Sequence, residues 1–503
     1  MEDVIIVGAG PSGLFLGIEL ARQGVKARIL EQASQHHGQA RGTALQPGTL
    51  EMLSRAGVLE PVLARAIHVH SVNVCGPGLV SLARTQLAGI DAAYEFECCE
   101  PQSLTEEVLF ERLQQLGGEV ELGIHVTALE DHPDHVCVHF VRADGETDSA
   151  RARYVVGAGG SHSVVRSAMT APHLEGETYA GHYLVADLRA ELAVPPGEST
   201  VVVSPEGFAL FAPLPEGRFL IFVNGPEGSG SPSHELLVSL LEQRVGLPLQ
   251  IHDVRWSSYF RMHKRMAVKM GEGRRWLVGD AGHASSPLGG QGLNTALLDA
   301  ADLGWKLGLV VRGQGRPSLL ESYVLERHLS SQQVLDISDG IHQSVMGLVE
   351  ASREGVLEPV AEPDAEIDLA ASRHRAMLTI DYGESPLVGE WCSRPFPPGP
   401  TPGQRYPDRI RLQGPGHHLL VFGSASLHGF GERWGSLVEV VDAAGLDPAR
   451  AGVGPEGLVL VRPDGYIGYR TGSNGEEDLR ALEAHLRTYL ELKEASLVVE
   501  PVP

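Results

Sequence analysis

The apolar positions of this chain change period several times, and those changes mark out its elements. Val4-Ile5-Ile6-Val7 is an unbroken apolar run with β-branched residues, the pattern of a strand buried on both faces. It runs into the turn Gly8-Ala9-Gly10-Pro11-Ser12-Gly13 and then a helical stretch from Leu14 to about Gln23, with Gly24 placed to close it left-handed. A second strand, Val25 to Leu30, ends at Glu31. Thr49–Ala56 reads as a short helix closed by Gly57, and His68–Phe96 as a strand-rich section. Ser103, followed by Glu106, predicts a capping box opening a helix that ends at Gly117-Gly118. Val120–Phe140 predicts a strand pair, and Tyr154-Val155-Val156-Gly157-Ala158 a second buried strand running into glycines.

From Glu175 to Trp256 the period becomes two. Ser199–Ser204, Phe208–Ala212 and Arg218–Asn224, joined by Pro/Gly turns, predict an antiparallel meander with one amphipathic helix at His234–Val245. Arg275–Val278 returns to a buried strand, followed by a glycine loop and a long helix over Thr295–Val311. Six prolines within 393–407 read as a stiff linker. Beyond it, strands at Leu419–Phe422, Leu437–Val441 and Leu458–Val461, a Pro463-Asp464-Gly465 hairpin to Tyr466–Tyr469, and a helix from about Asp478 to Leu492 predict a compact α/β segment.

With 503 residues the chain can bury two or three cores. Its formal net charge of −24 disfavours nucleic acid and anionic membrane as partners. Five cysteines without a C-x-x-C pair suggest neither a zinc ribbon nor a redox dithiol, and fit reduced thiols in the cytoplasm. The first residues lack the basic region of a signal peptide, and no window of eighteen apolar residues occurs. His132, His135, Cys137 and His139 alternate with Val136 and Val138, which is ordinary half-buried strand patterning rather than a metal cluster.

Strand, G-x-G-x-x-G turn, helix, strand and acid in succession point to an adenosine dinucleotide. Gly8 permits the tight turn, Gly10 lets a pyrophosphate approach the backbone, and Gly13 lets the helix pack on the strand, while the helix N-terminus attracts the phosphates. Glu31 stands where a carboxylate accepts hydrogen bonds from ribose hydroxyls. Gly279-Asp280-Ala281-Gly282-His283 with Ser286-Pro287-Leu288-Gly289-Gly290-Gln291-Gly292-Leu293-Asn294 is more specific still. Asp280 closes a buried strand, where sugar-alcohol hydroxyls would supply the donors it needs. The glycine loop then presents N–H groups at the start of a helix carrying Asp299, Asp302 and Trp305.

These stretches, with Tyr154–Arg166 and Leu320-Glu321-Ser322-Tyr323, resemble the FAD-dependent aromatic hydroxylases, single-component flavoprotein monooxygenases related to para-hydroxybenzoate and phenol hydroxylases, and most of all their polyketide-tailoring branch. The resemblance implies an α/β fold: a Rossmann-like FAD-binding domain, an inserted antiparallel-sheet substrate domain, and a C-terminal thioredoxin-like domain without its dithiol. The expected division is 1–174 (with a substrate-side strand section near 68–97) and 268–392 for the FAD-binding domain, 175–267 for the substrate domain, 393–407 for the linker and 408–503 for the last domain. FAD would lie on Gly8, Gly10, Pro11, Ser12, Gly13, Glu31, Arg41, Gln102, Val126, Asp280, Gly290, Gly292, Leu293 and Asn294. Arg261, His263 and Pro287 are implied near the chemistry, and Phe208, Phe211, Pro213 and Phe222 are candidates for lining the substrate pocket. NADPH or NADH would reduce the flavin, and O₂ would form a C4a-hydroperoxide that hydroxylates or epoxidises a small aromatic or polyketide-type substrate. No metal and no protein nucleophile is required. The expected assembly is a monomer or homodimer in the cytoplasm. A Baeyer–Villiger or rearranging flavoenzyme, and a flavin-binding partner protein with impaired reduction, stay open as alternatives. The family's usual Gly-Ala-Asp-Gly reads here Gly157-Ala158-Gly159-Gly160, without its aspartate, and Gly282 replaces an alanine.

Overall fold

A computed structural model describes residues 1–35, 42–358 and 365–492. The chain divides into two compact units: 1–21 with 26–301 and 327–380, and 22–25 with 302–326 and 381–503.

The first unit is built on a sheet whose central strands are parallel. In spatial order its neighbours are Arg275–Leu277, Thr147–Gly157, Glu2–Val7, Ala27–Glu31 and Glu119–Leu122. Val4, Ile5, Val155, Val156 and Leu277 are fully buried, as unbroken apolar runs in a parallel sheet require. The Val136–Val141 strand buries Val136, Val138 and Phe140 and leaves Cys137 and His139 half-buried.

The meander is also present, in a seven-stranded sheet ordered Gln250–Phe260, His182–Glu191, Arg218–Gly225, Gly207–Leu214, Glu198–Ser204, Ser71–Gly76 and Val80–Gln86. Its last two strands come from the section before residue 97, joined by a parallel pairing of Glu198–Ser204 with Ser71–Gly76. One face packs Leu237, Leu241 and Val245 of the His234–Val245 helix.

Three expectations need correcting. Ser103 does not cap its helix, which runs Gln102–Gln115 with Pro101 at the N-cap. Glu106 instead accepts from the Gln102 amide at 2.8 Å. Within 268–392, where helices were expected without bounds, the Gly292–Val311 helix is followed by one of 35 residues, Leu319–Arg353. The proline-rich stretch 393–407 is no free linker. It hydrogen-bonds into the second unit, Gly403 N to Ile467 O at 2.8 Å and Tyr406 N to Gly465 O at 3.1 Å. The second unit likewise takes in 302–326 and 381–392, which the expected division gave to the first. Its mixed sheet runs Gly389–Trp391, Ile467–Thr471, Leu458–Val461, His417–Val421, Val438–Asp442.

Glu100, fully buried beside the Gln102–Gln115 helix, accepts from Thr105 Oγ1 at 2.8 Å, while its Oε2 has no partner. Burial pushes its carboxyl up from 4.5 to about 7, against the opposing hydrogen bond of Thr105. A carboxyl raised in the folded state binds more protons there than in the unfolded chain, so its contribution to stability falls as pH rises from about 4.5 through about 7. Glu100→Gln is therefore expected to raise the unfolding midpoint at pH 8 and to have little effect at pH 5, measured by thermal melts at both.

Candidate active site

Four neighbouring strands of the first unit end together. Gly8 follows Glu2–Val7, Glu31 closes Ala27–Glu31, Ala158 and Gly159 follow Thr147–Gly157, and Asp280 follows Arg275–Leu277. Ligands of open α/β sheets bind beyond such carboxyl ends. Here they border a cleft of about 790 Å³ that continues past Gln102 and Val126 to Phe222, Trp256, Phe260 and Pro287.

The glycine turn is sterically dictated. Gly8 has φ +112°, and a Cβ there would lie 2.5 Å from Ala158 O; a Cβ on Gly13 would lie 2.1 Å from Gly8 O. At Gly10 an added Cβ meets no protein atom within 4 Å, so the space above that turn is left for a ligand. Glu31 reaches the turn: its Oε2 accepts from Ala9 N at 2.7 Å and its Oε1 from Ala33 N at 2.8 Å.

The floor around Asp280 rests on a residue to which sequence reasoning gave no role. Asp299 is fully buried, and one of its oxygens accepts from Gly279 N at 2.8 Å and meets His283 Nε2 at 2.7 Å. The other accepts from Arg327 Nε at 2.7 Å. Burial alone would push this carboxyl up, but the charges and hydrogen bonds of His283 and Arg327 hold it below the usual carboxylate range. The signal was present in the sequence, as an acid inside the apolar helical run Ala296-Leu297-Leu298-Asp299-Ala300-Ala301. Arg166 ties the same turn to the next: it donates to Ala281 O at 2.8 Å, to Ser161 O, and to Pro172 O at 3.1 Å, and burial lowers its pKa.

On the far side, strand alternation decides which aromatics face the cleft. Phe222 lines it, with its ring 5.8 Å from Phe260 and edge-on. Phe211 and Pro213 are odd-numbered on the Gly207–Leu214 strand and project to the other face, where Phe211 packs in the cluster of Leu237 and Leu241. Phe208 is fully buried in a cluster with Tyr183 and Met262, off the cleft. Of the four aromatic-wall candidates, only Phe222 lines it. Arg261 and His263 both line it, and His263 Nδ1 lies 2.9 Å from Thr178 Oγ1, which accepts from Arg265 at 2.7 Å. Burial, then the charges of Arg265 and Arg261, lower the His263 pKa and favour the neutral ring.

The other expected cofactor residues divide. Gly8, Gly10, Pro11, Ser12, Glu31, Gln102, Val126, Asp280, Gly290, Gly292 and Leu293 line the cleft. Gly13 lies beneath the turn, and Asn294 is buried behind the loop, its side chain accepting from Gln46 N and donating to Ala44 O and Gly290 O. Arg41 lies outside the described residues. Among the described residues, the one trio of side chains close enough to share a metal is Asp302, Glu326 and Asp464, in the second unit. Lys306 and Arg462 already sit against those carboxylates.

Compared with known proteins, residues 1–338 match the FAD binding domain family and 400–491 the aromatic-ring hydroxylase C-terminal family. The chain belongs to the FAD-dependent aromatic hydroxylases. This aromatic hydroxylase is 31% identical to the 6-methylpretetramide 4-monooxygenase of Streptomyces rimosus, over 95% of this chain and 92% of that protein. It is equally 31% identical to the rifampicin monooxygenase of Streptomyces venezuelae, over 96% and 98%. The solved anhydrotetracycline hydroxylase of Streptomyces rimosus superposes with a TM-score of 0.74 at 28% identity, over 97% of this chain and 98% of that one. The hydroxylase is thus an FAD-dependent monooxygenase. Its open glycine turn, N-terminal helix end and clefted acids fit a flavin dinucleotide.

Replacing Asp299 with Asn leaves Arg327 buried without its counter-charge, a loss of about 3–5 kcal/mol for a broken buried pair. Asp299→Asn is expected to lower the thermal midpoint and the FAD retained on purification together, read by melts and by the flavin absorbance per protein.

Proposed function

We propose that this enzyme uses NADPH or NADH and O₂ to add one oxygen atom to an aromatic or polycyclic polyketide-type substrate. Atoms balance as substrate–H + O₂ + NAD(P)H + H⁺ giving substrate–OH + H₂O + NAD(P)⁺. The observation carrying this reading is that one cleft joins the dinucleotide-type strand ends to an aromatic wall of Phe222, Trp256 and Phe260. FAD, when bound, supplies dioxygen activation and oxygen transfer. The chain's own residues do the rest. The aromatic wall receives a flat ring and excludes water from it. Arg261 offers N–H donors to a substrate oxygen. His263, whose neutral form burial and the neighbouring arginines favour, lines the cleft with its Nδ1 engaged by Thr178. The relatives' tetracycline and rifampicin substrates support a fused polycyclic ligand of this kind. All five cysteines are unpaired, which supports a reducing compartment, the cytoplasm. No helix among the described residues is long and apolar enough to cross a membrane.

The test is NAD(P)H consumption by purified enzyme under ¹⁸O₂ with a panel of phenolic polycyclic compounds. The expected product gains a single labelled oxygen as a hydroxyl. Consumption that yields only hydrogen peroxide across the panel overturns the reading, and a labelled lactone would replace hydroxylation by Baeyer–Villiger insertion.

Gly159 bears on the reduction step. It lines the cleft with an ordinary φ of −83°, and an added Cβ would meet only Val7 O, at 3.5 Å, so nothing in the fold demands glycine. Gly159→Asp, restoring the family's residue, should leave stability unchanged to within about 0.5 kcal/mol. It should also speed anaerobic reduction by NADPH, which in the natural chain is expected to be slow unless substrate is present. Stopped-flow absorbance decides it: fast natural reduction, unimproved by the aspartate, would sink the idea.

A further inference from the structure

The glycine loop that lines the cleft is braced from behind by a segment to which the sequence assigned no role. Gly289 and Gly290 have φ of +97° and +66°, soft backbone that keeps one shape only if held from outside. The holding residues do not line the cleft. Asn294 donates to Gly290 O at 2.6 Å and accepts from Gln46 N at 2.8 Å, and Gln46 also reaches Gly289 O at 3.3 Å. Behind them runs 372–378. Gln291, fully buried, donates to Arg375 O at 2.9 Å, and Gly48 N donates to Ala376 O at 2.9 Å. The segment passes so close that a Cβ on Gly48 would lie 2.6 Å from Met377 O. It is itself fastened: Ser372 Oγ donates to Gln86 O at 2.8 Å, and Ala376 and Leu378 are buried with Leu87 and Ile90. Its Arg375 side chain forms an ion pair with the buried Glu97, which Gln46 also hydrogen-bonds.

We propose that Arg375, through its pair with Glu97, is a positioning residue for the Gly289–Asn294 loop, so that segment 372–378 sets how tightly the enzyme holds FAD. The Arg375 backbone carbonyl is the point to which Gln291 is tied, and the side chain fixes where that carbonyl stands. Glu97 is thereby shared between the strap, through Arg375, and the loop's own support, through Gln46. A shift of the strap reaches the cleft by two routes, Gln291 directly and Gly48–Gln46–Asn294. This inference rests on the loop's contact with FAD, not on the oxygen-transfer reading, and its readout is cofactor binding, which is independent of turnover.

The experiment titrates FAD into the apo-enzyme, following flavin fluorescence and the shape of the bound absorption band, with thermal melts alongside. Glu97→Gln with Arg375→Met removes both members of the pair and leaves no charge without its partner. Gln291→Leu cuts the tie while keeping the strap. Each is expected to raise the FAD dissociation constant about tenfold or more, the scale of losing a supporting partner behind a binding site, and to broaden the flavin band. Arg375→Lys, which keeps the charge opposite Glu97, should stay within about threefold of the natural chain. If the double variant does not fold, Gln291→Leu carries the test alone. A dissociation constant within twofold of the natural chain for Gln291→Leu, or lowered melting temperatures with unchanged FAD binding, overturns the proposal.

Discussion

One buried carboxylate governs the floor of this cleft. Asp299 is fully buried, and it persists as an anion because Arg327, His283 and the Gly279 N–H converge on its two oxygens. Each donor comes from a different place: the turn after the Arg275–Leu277 strand, the residues following Asp280, and the long Leu319–Arg353 helix. Satisfying one charge therefore fixes three pieces of backbone at once. The Gly279 amide so held begins the turn that carries Asp280 into the cleft, and Gly279 itself adopts φ +62°, which glycine alone takes without strain. The charge is costly to bury, and that cost gives the turn a single arrangement.

What could be read from the sequence follows local period. The strands at Val4–Val7, Tyr154–Ala158 and Arg275–Val278 were legible because parallel burial writes continuous apolar runs, and the helix at His234–Val245 because its pattern and flanking residues agree. The strand ends, the glycine turn, Glu31 and Asp280 followed from those. What was not legible depends on distant partners. The pairing of Glu198–Ser204 with Ser71–Gly76 joins segments more than a hundred residues apart, and no local pattern records it. Phe211 and Pro213 look equivalent to Phe222 by composition, but alternation puts them on the opposite sheet face. The prolines of 393–407 suggested a spacer because proline stiffens an isolated chain. Here Gly399 and Gly403 among them take φ of +157° and +96° and press against neighbouring backbone, so the stretch is packed.

The second unit repeats the same physics on a larger scale. Arg462 is fully buried and forms two hydrogen bonds of 2.7 Å to Glu326, which also accepts from Lys306 at 2.6 Å and from Ser385. Burial would raise the Glu326 carboxyl, but Arg462 and Lys306 hold it far below its ordinary value. Asp302 beside it is pushed up by burial and by the neighbouring Glu326 charge. Burial and the neighbouring carboxylates thus favour the protonated form of Asp302 against the pull of Lys306. Trp305 Nε1 closes the group by donating to Asp464 at 3.3 Å. Since apolar residues of similar volume would be as stable or more so, the gain from such a group is specificity of packing.

The distribution of charge in the cleft then bears on what the protein contributes to catalysis. Its lining carboxylates, Glu31, Glu106 and Asp280, stand at the strand ends and on the Gln102–Gln115 helix. The aromatic wall carries instead Arg261 and a neutral His263. A wall with hydrogen-bond donors and no carboxylate can fix the oxygen of a ring substrate and stabilise negative charge gathering on it. In the proposed reaction, selectivity for one ring position depends on how rigidly the two ends of the cleft are held within this unit. At the strand-end side of the cleft the groups that hold the backbone lie outside it, Asp299 under one turn and the 372–378 segment behind the next. The lining at that end includes Gly8, Gly10, Gly159, Gly160, Gly290 and Gly292, soft backbone that needs support from outside. At that end, the backbone that faces the cleft is held by side chains that do not line it.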